Sequence, residues 1–299
     1  MAPLNFDGVV ARFEPGCRLV AARKLVGGAS AESTALEIEA PDGGRFRRVV
    51  RRHGEGDRAV NPDVARDEHA LLTVLAGDGF PVPRPRGHDD SGTLLPTPYI
   101  LTDFVEGTAE RPQEQRGTAV DRMADELARL HRIGAGDRRL AFLLRRDPLC
   151  RREIASEHAD DGDRALEETI RAALMPHWPL PQGEAVLLHG DFWPGNLLWQ
   201  GERLAAVIDW EDACFGDPQV DLGPARLELL WAWGDEAKER FTDGYAAATG
   251  RALDDLPLYD LWTALRALLR MPGWGLPVQE GLEKRRLLRG FVDDALHEL

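Results

Sequence analysis

The chain predicts an α+β protein, with strands and one helix early and helices through the rest. Three observations predict it. Phe46 to Arg52 and Thr97 to Val105 are short, rich in β-branched and aromatic residues, and bounded by Gly, Pro and Asp. Asn61 to Leu75 carries the start signals and apolar spacing of a helix. From about residue 120 onward, apolar residues recur at helical intervals. A length of 299 residues allows one large or two ordinary domains, and the change of character near residue 105 divides it into 1–105 and 106–299.

Each element follows from local chemistry. In Leu25 to Thr34, Gly27-Gly28 and a run of small residues sit between two apolar segments, so the backbone can turn tightly and expose N–H groups. In Phe46 to Arg52 a period of two puts Val49 and Arg51 on one face. In the helix from Asn61, Asn61 caps, Pro62 starts, acids crowd the first turns, and Val64, Leu71, Leu72 and Leu75 form the apolar face. Gly79 to Pro85 breaks the chain, and Thr97 to Gly107 reads as a strand running into a linker. Val120 to Ile133 has Met123, Leu127 and Leu130 at helical spacing. Leu166 to Leu174, Leu222 to Trp233 and Leu258 to Leu269 are further helices, and Trp231, Trp233, Trp262 and Trp274 are expected in the core.

Composition bounds the function. The three cysteines, Cys17, Cys150 and Cys214, share no metal-like spacing, and an odd number argues against a disulfide framework. No basic-plus-apolar leader opens the chain, and no apolar run approaches the roughly 20 residues that span a bilayer. A reducing cytoplasm and no membrane association are expected. The formal net charge is −14, which disfavours nucleic acid as a partner. Residues 106–299 hold 36 acids against 24 Lys or Arg, so that part would attract a cationic ligand.

The chemistry concentrates in two segments. His189-Gly190-Asp191-Phe192-Trp193-Pro194-Gly195-Asn196 follows the apolar pair Leu187-Leu188, and Pro194-Gly195 forces a turn that lets Asp191 and Asn196 face one cavity. Leu197 to Trp199 and Leu204 to Ile208 read as a hairpin around Gln200-Gly201-Glu202-Arg203, which returns the chain to Asp209. One carboxylate in a tight turn, an Asn and a second carboxylate after a buried strand are the groups that hold Mg²⁺ on a nucleotide and accept a hydroxyl proton.

On these motifs the chain resembles the aminoglycoside phosphotransferase family, small-molecule kinases of the protein-kinase-like fold. The matching residues are His189, Gly190, Asp191 and Asn196; Ile208 to Glu211; and Gly216-Asp217-Pro218 with Asp221-Leu222. The resemblance implies a bilobal α+β fold. Its small N-lobe, residues 1–105, would carry an antiparallel sheet plus one helix and bind the nucleotide. Its larger, mostly helical C-lobe, residues 106–299, would carry the catalytic loop and the acceptor.

The resemblance also implies roles. Asp191 would be the catalytic base, and Asn196 and Asp209 the Mg²⁺ ligands with help from Glu211. His189 would brace the loop and Asp221 anchor it through backbone N–H groups. Only three lysines occur, Lys24, Lys238 and Lys284, none where this fold places its phosphate-binding cation. Arg51 would take that role, Val49 would cover the base, and Glu68 would pair with Arg51; Arg52 is the register alternative. Ser30 would touch phosphate, and the backbone of Asp103 and Val105 the purine edge. His131 reads as a packed core histidine.

Two departures from protein kinases bear on the acceptor. Trp193 stands where those enzymes carry a Lys, and Gly216 follows Asp209 by only seven positions, too few for a peptide-docking segment. The expected reaction therefore moves the γ-phosphoryl group of ATP or GTP, with Mg²⁺, to a hydroxyl of a small molecule in a monomer or dimer. An aminoglycoside or similar cationic antibiotic is the first expectation, with carboxylates at Asp160, Asp161 and Asp163 or at Asp235 and Glu236, both read as loops, reaching the cleft. Macrolides, choline-like alcohols, amino-alcohols and sugars compete. A nucleotide-binding regulator without transfer activity is the alternative of another class.

Overall fold

A computed structural model describes residues 4–25, 31–145 and 163–299. In chain order its elements are α1 (Phe6–Phe13), β1 (Arg18–Lys24), β2 (Ala31–Glu39), β3 (Arg45–His53), α2 (Glu55–Val60), α3 (Val64–Gly77), β4 (Pro85–Asp89), β5 (Tyr99–Asp103), α4 (Arg116–Leu130), α5 (Arg164–Leu174), β6 (Val186–Leu188), β7 (Leu197–Gln200), β8 (Arg203–Val207), β9 (Cys214–Gly216), α6 (Gln219–Trp233), α7 (Asp235–Thr249), α8 (Leu256–Arg270) and α9 (Val278–Glu298). Two compact units result. One comprises residues 1–108, 138–142 and 197–212, and the other 109–137, 143–196 and 213–299.

The first unit is an antiparallel sheet of order β1-β2-β3-β5-β4. Period-two alternation decides its faces. Leu36, Ile38, Val50, Tyr99 and Leu101 form a closed core with Val9 and Val10 of α1. Val49 and Arg51 alternate onto the opposite face, the one that lines a cavity. Helix α3 buries Val64, Ala65, Leu71, Leu72 and Leu75 and packs on β3, β4 and β5. Its start differs from the Asn61–Pro62 expectation. Asn61 ends α2, and its Oδ1 accepts from the Asp63 N–H (3.0 Å) in an Asx turn ahead of the helix. The hairpin β7–β8 pairs Leu197 with Val207, and Gly201 supplies the positive φ (58°) its turn requires. The hairpin is tied into this unit by Thr108–Trp199 backbone bonds of 2.9 and 3.1 Å and by Val207 N–H to Pro81 O at 2.7 Å.

The second unit is mainly helical. Its small sheet pairs β6 with β9, Leu187 facing Phe215. Helices α6, α7, α8 and α9 pack on one another and α4 on α7. Trp262, Tyr245, Tyr259, Phe241 and Phe291 are fully buried among them. Of the four tryptophans expected in the core, only Trp262 is there; Trp231 and Trp233 are half-buried and Trp274 is 41% exposed. Asp235 and Glu236, read as a loop, form the first turn of α7, where their charge suits the helix N-terminus. Among the described residues no helix is long and apolar enough to cross a membrane.

Candidate active site

A cavity of about 360 Å³ opens in the first unit. Val49, Ile100, Leu198 and Ile208 give it apolar walls, Arg51, Glu68 and Asp209 a charged end, and Asp103 to Val105 a backbone edge. At the charged end one guanidinium serves three carboxylates. Arg51 Nη1 donates to Glu68 Oε1 at 3.1 Å, while Nη2 lies 3.2 Å from Asp209 Oδ1 and 2.5 Å from Glu211 Oε2. Arg51 and Glu68 are only 8% and 5% exposed. Burial works hardest to discharge Arg51, but Glu68, Glu211 and Asp209 together outweigh it and hold the guanidinium charged beyond its ordinary range. Burial likewise opposes the Glu68 charge, and Arg51 and His53 outweigh it, so that carboxyl lies below its ordinary value. The fork geometry of Arg explains why one side chain can span both sides of the cluster.

Arg52 faces the other way and pairs with the exposed Glu32. Asp209 sits in the left-handed region at φ 67°, a conformation Asp tolerates better than most residues. Trp210 Nε1 holds that turn by donating to Val207 O at 2.9 Å. At the backbone edge, the Asp103 N–H is already bonded to Arg84 O (2.9 Å) and the Phe104 N–H to Arg47 O (3.3 Å). The Val105 N–H has no partner among the described residues. The expected Asp103 contact therefore narrows to its carbonyl. Ser30 lies outside the described residues; Ser33 lines the cavity.

The second unit carries the loop after β6. Asn196 Nδ2 donates to Asp191 O (2.9 Å) and to Asp191 Oδ2 (2.8 Å), which fixes the rotamer of an exposed carboxylate. Asp191 N–H donates to His189 Nδ1 at 3.2 Å. Asp221, 1% exposed, accepts from the N–H groups of His189 (2.7 Å) and Gly190 (2.8 Å) and bonds His131 Nε2 (3.2 Å). Burial is the largest influence on Asp221, yet His131 and then His189 overcome it and keep the carboxyl below its ordinary value. His131, whose Nδ1 bonds Tyr245 Oη at 2.8 Å, is thus a brace for this loop as well as a core histidine. Sequence spacing could not show this, because 90 residues separate it from Asp221. Trp193 has a packing role. Its ring lies across Gly195, where a Cβ would approach to 2.1 Å.

The carboxylates expected to hold an acceptor are placed differently. Asp163 is buried and paired with Arg285 and Arg289. Asp235 pairs with Lys238 at 2.8 Å. Asp160 and Asp161 lie outside the described residues. A carboxylate the sequence reading passed over is Glu228 on α6, half-buried and close enough to Asp191 to feel its charge.

The oxygen donors suit a hard divalent cation. Asp209 offers a carboxylate that is 28% exposed, and Asn196 an amide oxygen not engaged by any described residue. Among the described residues no group of three or more His, Cys, Asp or Glu forms a closed metal cage. Oxygen donors of either kind suit an ion held partly by protein and partly by phosphate and water.

Residues 22–268 match the model of the phosphotransferase enzyme family (APH). The chain belongs to this family. It is a phosphotransferase, a small-molecule kinase with an alcohol group as acceptor. A homoserine kinase of Beijerinckia indica subsp. indica is 32% identical over 228 residues, 68% of each chain. Among solved structures, a macrolide 2'-phosphotransferase, MphH, from Brachybacterium faecium aligns at TM-score 0.64 and 21% identity, covering 95% of this chain and 97% of that one. The GDP complex of aminoglycoside 2'-phosphotransferase-IIIa aligns at 0.69 and 16% identity, covering 98% and 99%. At these identities the structural likeness shows the α+β kinase-like fold.

Proposed function

We propose that this kinase moves the γ-phosphoryl group of ATP or GTP, bound with Mg²⁺, to the hydroxyl of a small metabolite that carries an ammonium group. The observation that carries this is the Arg51 cluster, a guanidinium pinned among Glu68, Asp209 and Glu211 at the charged end of an apolar cavity. The apolar walls suit a purine, the Val105 N–H and Asp103 carbonyl suit its edge, and Arg51 suits phosphate. Residues 1–105 are assigned to nucleotide binding, with Leu198, Ile208 and Asp209 of the later hairpin lining the same cavity, and the rest of 106–299 to catalysis and acceptor binding.

Asp191 accepts the proton of the acceptor hydroxyl as its oxygen forms the new P–O bond and the bond from γ-phosphorus to the bridging oxygen breaks. Asp221, His189 and His131 hold the loop so that the Asp191 carboxylate does not reorient during transfer. Asn196 and Asp209, with Glu211 assisting, would hold Mg²⁺, which when bound neutralises charge on the phosphates.

The relatives named homoserine kinase, at about 30% identity over roughly two-thirds of the chain, support a small amino-acid-like acceptor and a metabolic role. An aminoglycoside or macrolide is the second reading, favoured by structural likeness at 16 to 21% identity and by the acid excess of residues 106–299. A cytoplasmic location and a monomer or dimer belong to the same proposal. Nucleotide turnover with Mg²⁺ and a panel of L-homoserine, choline, a hexose, an aminoglycoside and a macrolide tests it. Turnover stimulated by L-homoserine alone supports the first reading, and stimulation by the antibiotics alone supports the second. Nucleotide binding with no stimulated turnover would leave a regulator.

A further inference from the structure

Resting on that reading, one cluster in the second unit belongs to no role assigned so far. Asp221 and Glu228 stand seven residues apart on α6 and so share one face of the helix. That face meets the catalytic loop. Asp221 bonds the loop backbone at His189 and Gly190, and α6 packs on the turn Pro194–Asn196. Glu228 is half-buried and, among the described residues, has no hydrogen-bond or ion-pair partner. Its oxygens are not among the buried polar atoms left without a partner, so the carboxylate stays open to solvent and to a ligand.

An opposite charge lies near it and does not pair with it. Lys284 on α9 acts electrostatically on Glu228 but has no carboxylate within ion-pair distance among the described residues. Its Nζ rests 4.1 Å from the centre of the Trp231 ring, and Trp231 Nε1 donates to the Lys284 carbonyl at 3.1 Å. Trp231 meets Trp274 edge-on, with ring centres 5.9 Å apart. The result is an aromatic pair carrying a lysine ammonium, with Trp231 three residues after Glu228 on the helix that packs against the catalytic turn.

We infer that Glu228 and Lys284 determine acceptor specificity: Glu228 takes the ammonium group and Lys284 the carboxylate of a hydroxy-amino acid whose side-chain hydroxyl reaches Asp191. The chemistry is that of a zwitterion recognised at both ends. A cationic amino alcohol satisfies only Glu228, and a polycationic aminoglycoside meets repulsion from Lys284. Trp231 and Trp274 supply the apolar contact for the short methylene chain between the two ends.

The test uses the full chain with Glu228→Gln and Lys284→Met, assayed with L-homoserine and with 3-amino-1-propanol, the same skeleton without the carboxylate. Each substitution is expected to raise the L-homoserine KM about 10- to 100-fold, the loss of one charge-assisted contact. The kcat should move much less, and nucleotide KM should stay constant, which also reports an intact fold. With 3-amino-1-propanol, Glu228→Gln should raise KM while Lys284→Met leaves it unchanged or lowers it. Calorimetric binding of L-homoserine to wild type and both variants runs beside the kinetics. Binding weakened by both substitutions without any turnover would sink the reaction and keep the recognition. Turnover with an L-homoserine KM indifferent to both would keep the reaction and overturn the recognition, as would equal effects of Lys284→Met on the two acceptors.

Discussion

Arg51→Ala removes a cation that Glu68, Asp209 and Glu211 share. Glu68 is nearly inaccessible to water and cannot be rehydrated cheaply. Breaking a buried pair by deleting one partner costs about 3–5 kcal/mol. At roughly 2–4 °C per kcal/mol for a domain of this size, the melting temperature of the first unit should fall by about 10 °C at pH 7. The loss is pH-dependent, and the sign follows from Glu68. In the wild type its pKa is lowered, so its stabilising contribution is present above the ordinary value of 4.5 and fades as pH falls through the native value. Without Arg51 the largest opposition to burial is gone and His53, 3.1 Å from Glu68, opposes it less, so the carboxyl moves up from its lowered value and the variant gives up less stability as pH falls. The gap between the two proteins should therefore shrink from pH 7 to pH 4. Lost phosphate contact should also lower kcat/KM for nucleotide about 10- to 100-fold. Arg51→Lys should fall between, since an ammonium cannot span Glu68 and Glu211 at once. Arg52→Ala removes only an exposed pair with Glu32 and should cost at most about 1 kcal/mol. Thermal melts at three pH values and nucleotide kinetics decide it. Equal damage from the two Ala variants, or a gap that widens toward acid, would refute the account of this cluster.

Three further outcomes are expected. Asp191→Asn keeps the hydrogen-bonding shape of the loop but cannot take a proton, so turnover should drop by about 10²-fold or more with nucleotide affinity unchanged; undiminished turnover would remove Asp191 as base. Asp209→Ala should shift the Mg²⁺ dependence of nucleotide binding to higher metal, and identical titrations for variant and wild type would contradict its role as ligand. Burial pushes the Glu228 carboxyl up to about 7, with Lys284 opposing and Asp191 assisting. Acceptor kcat/KM should therefore rise as pH passes 7 in the wild type, and that limb should be missing in Glu228→Gln.

Much of the site was legible in sequence because its parts are local. The turn at Pro194-Gly195 and the hairpin back to Asp209 follow from residue chemistry within twenty positions, and period two put Val49 and Arg51 on the cavity face. The helix carrying Glu68 was legible too, although its start was read two residues early because Asn61 serves the preceding turn. Non-local relations were not legible. Asp235 and Glu236 read as a loop because acids after a Gly suit either a turn or a helix start, and the packing of α7 decides between them. Trp231 and Trp274 share the composition of core residues, and only their neighbours on α9 show that one carries a lysine ammonium on its face. Asp163 lost its expected role to Arg285 and Arg289, more than 120 residues away. Glu228 gave no signal at all, since a Glu in an apolar helix has no pattern until Asp191 and Lys284 are in place.

The charged groups of the second unit separate into those the fold has settled and those it has left open. Asp221 is deeper than Glu228, yet its pKa is lowered, because two backbone N–H groups and His131 are committed to it. Arg226 and Asp260 are also deep and commit to each other at 2.9 Å. Glu228 has no such commitment, and the cost appears as linkage. A carboxyl raised from 4.5 to about 7 contributes stability that is full below about pH 4.5 and lost as pH rises through 7. At 1.36 kcal/mol per unit the loss is at most about 3 kcal/mol. Glu228→Gln should therefore gain stability over the wild type between pH 5 and pH 8 while it loses acceptor affinity. Lys284 relieves that cost only in part, and an ammonium group bound at the Glu228 carboxylate would relieve it further, which packing alone does not.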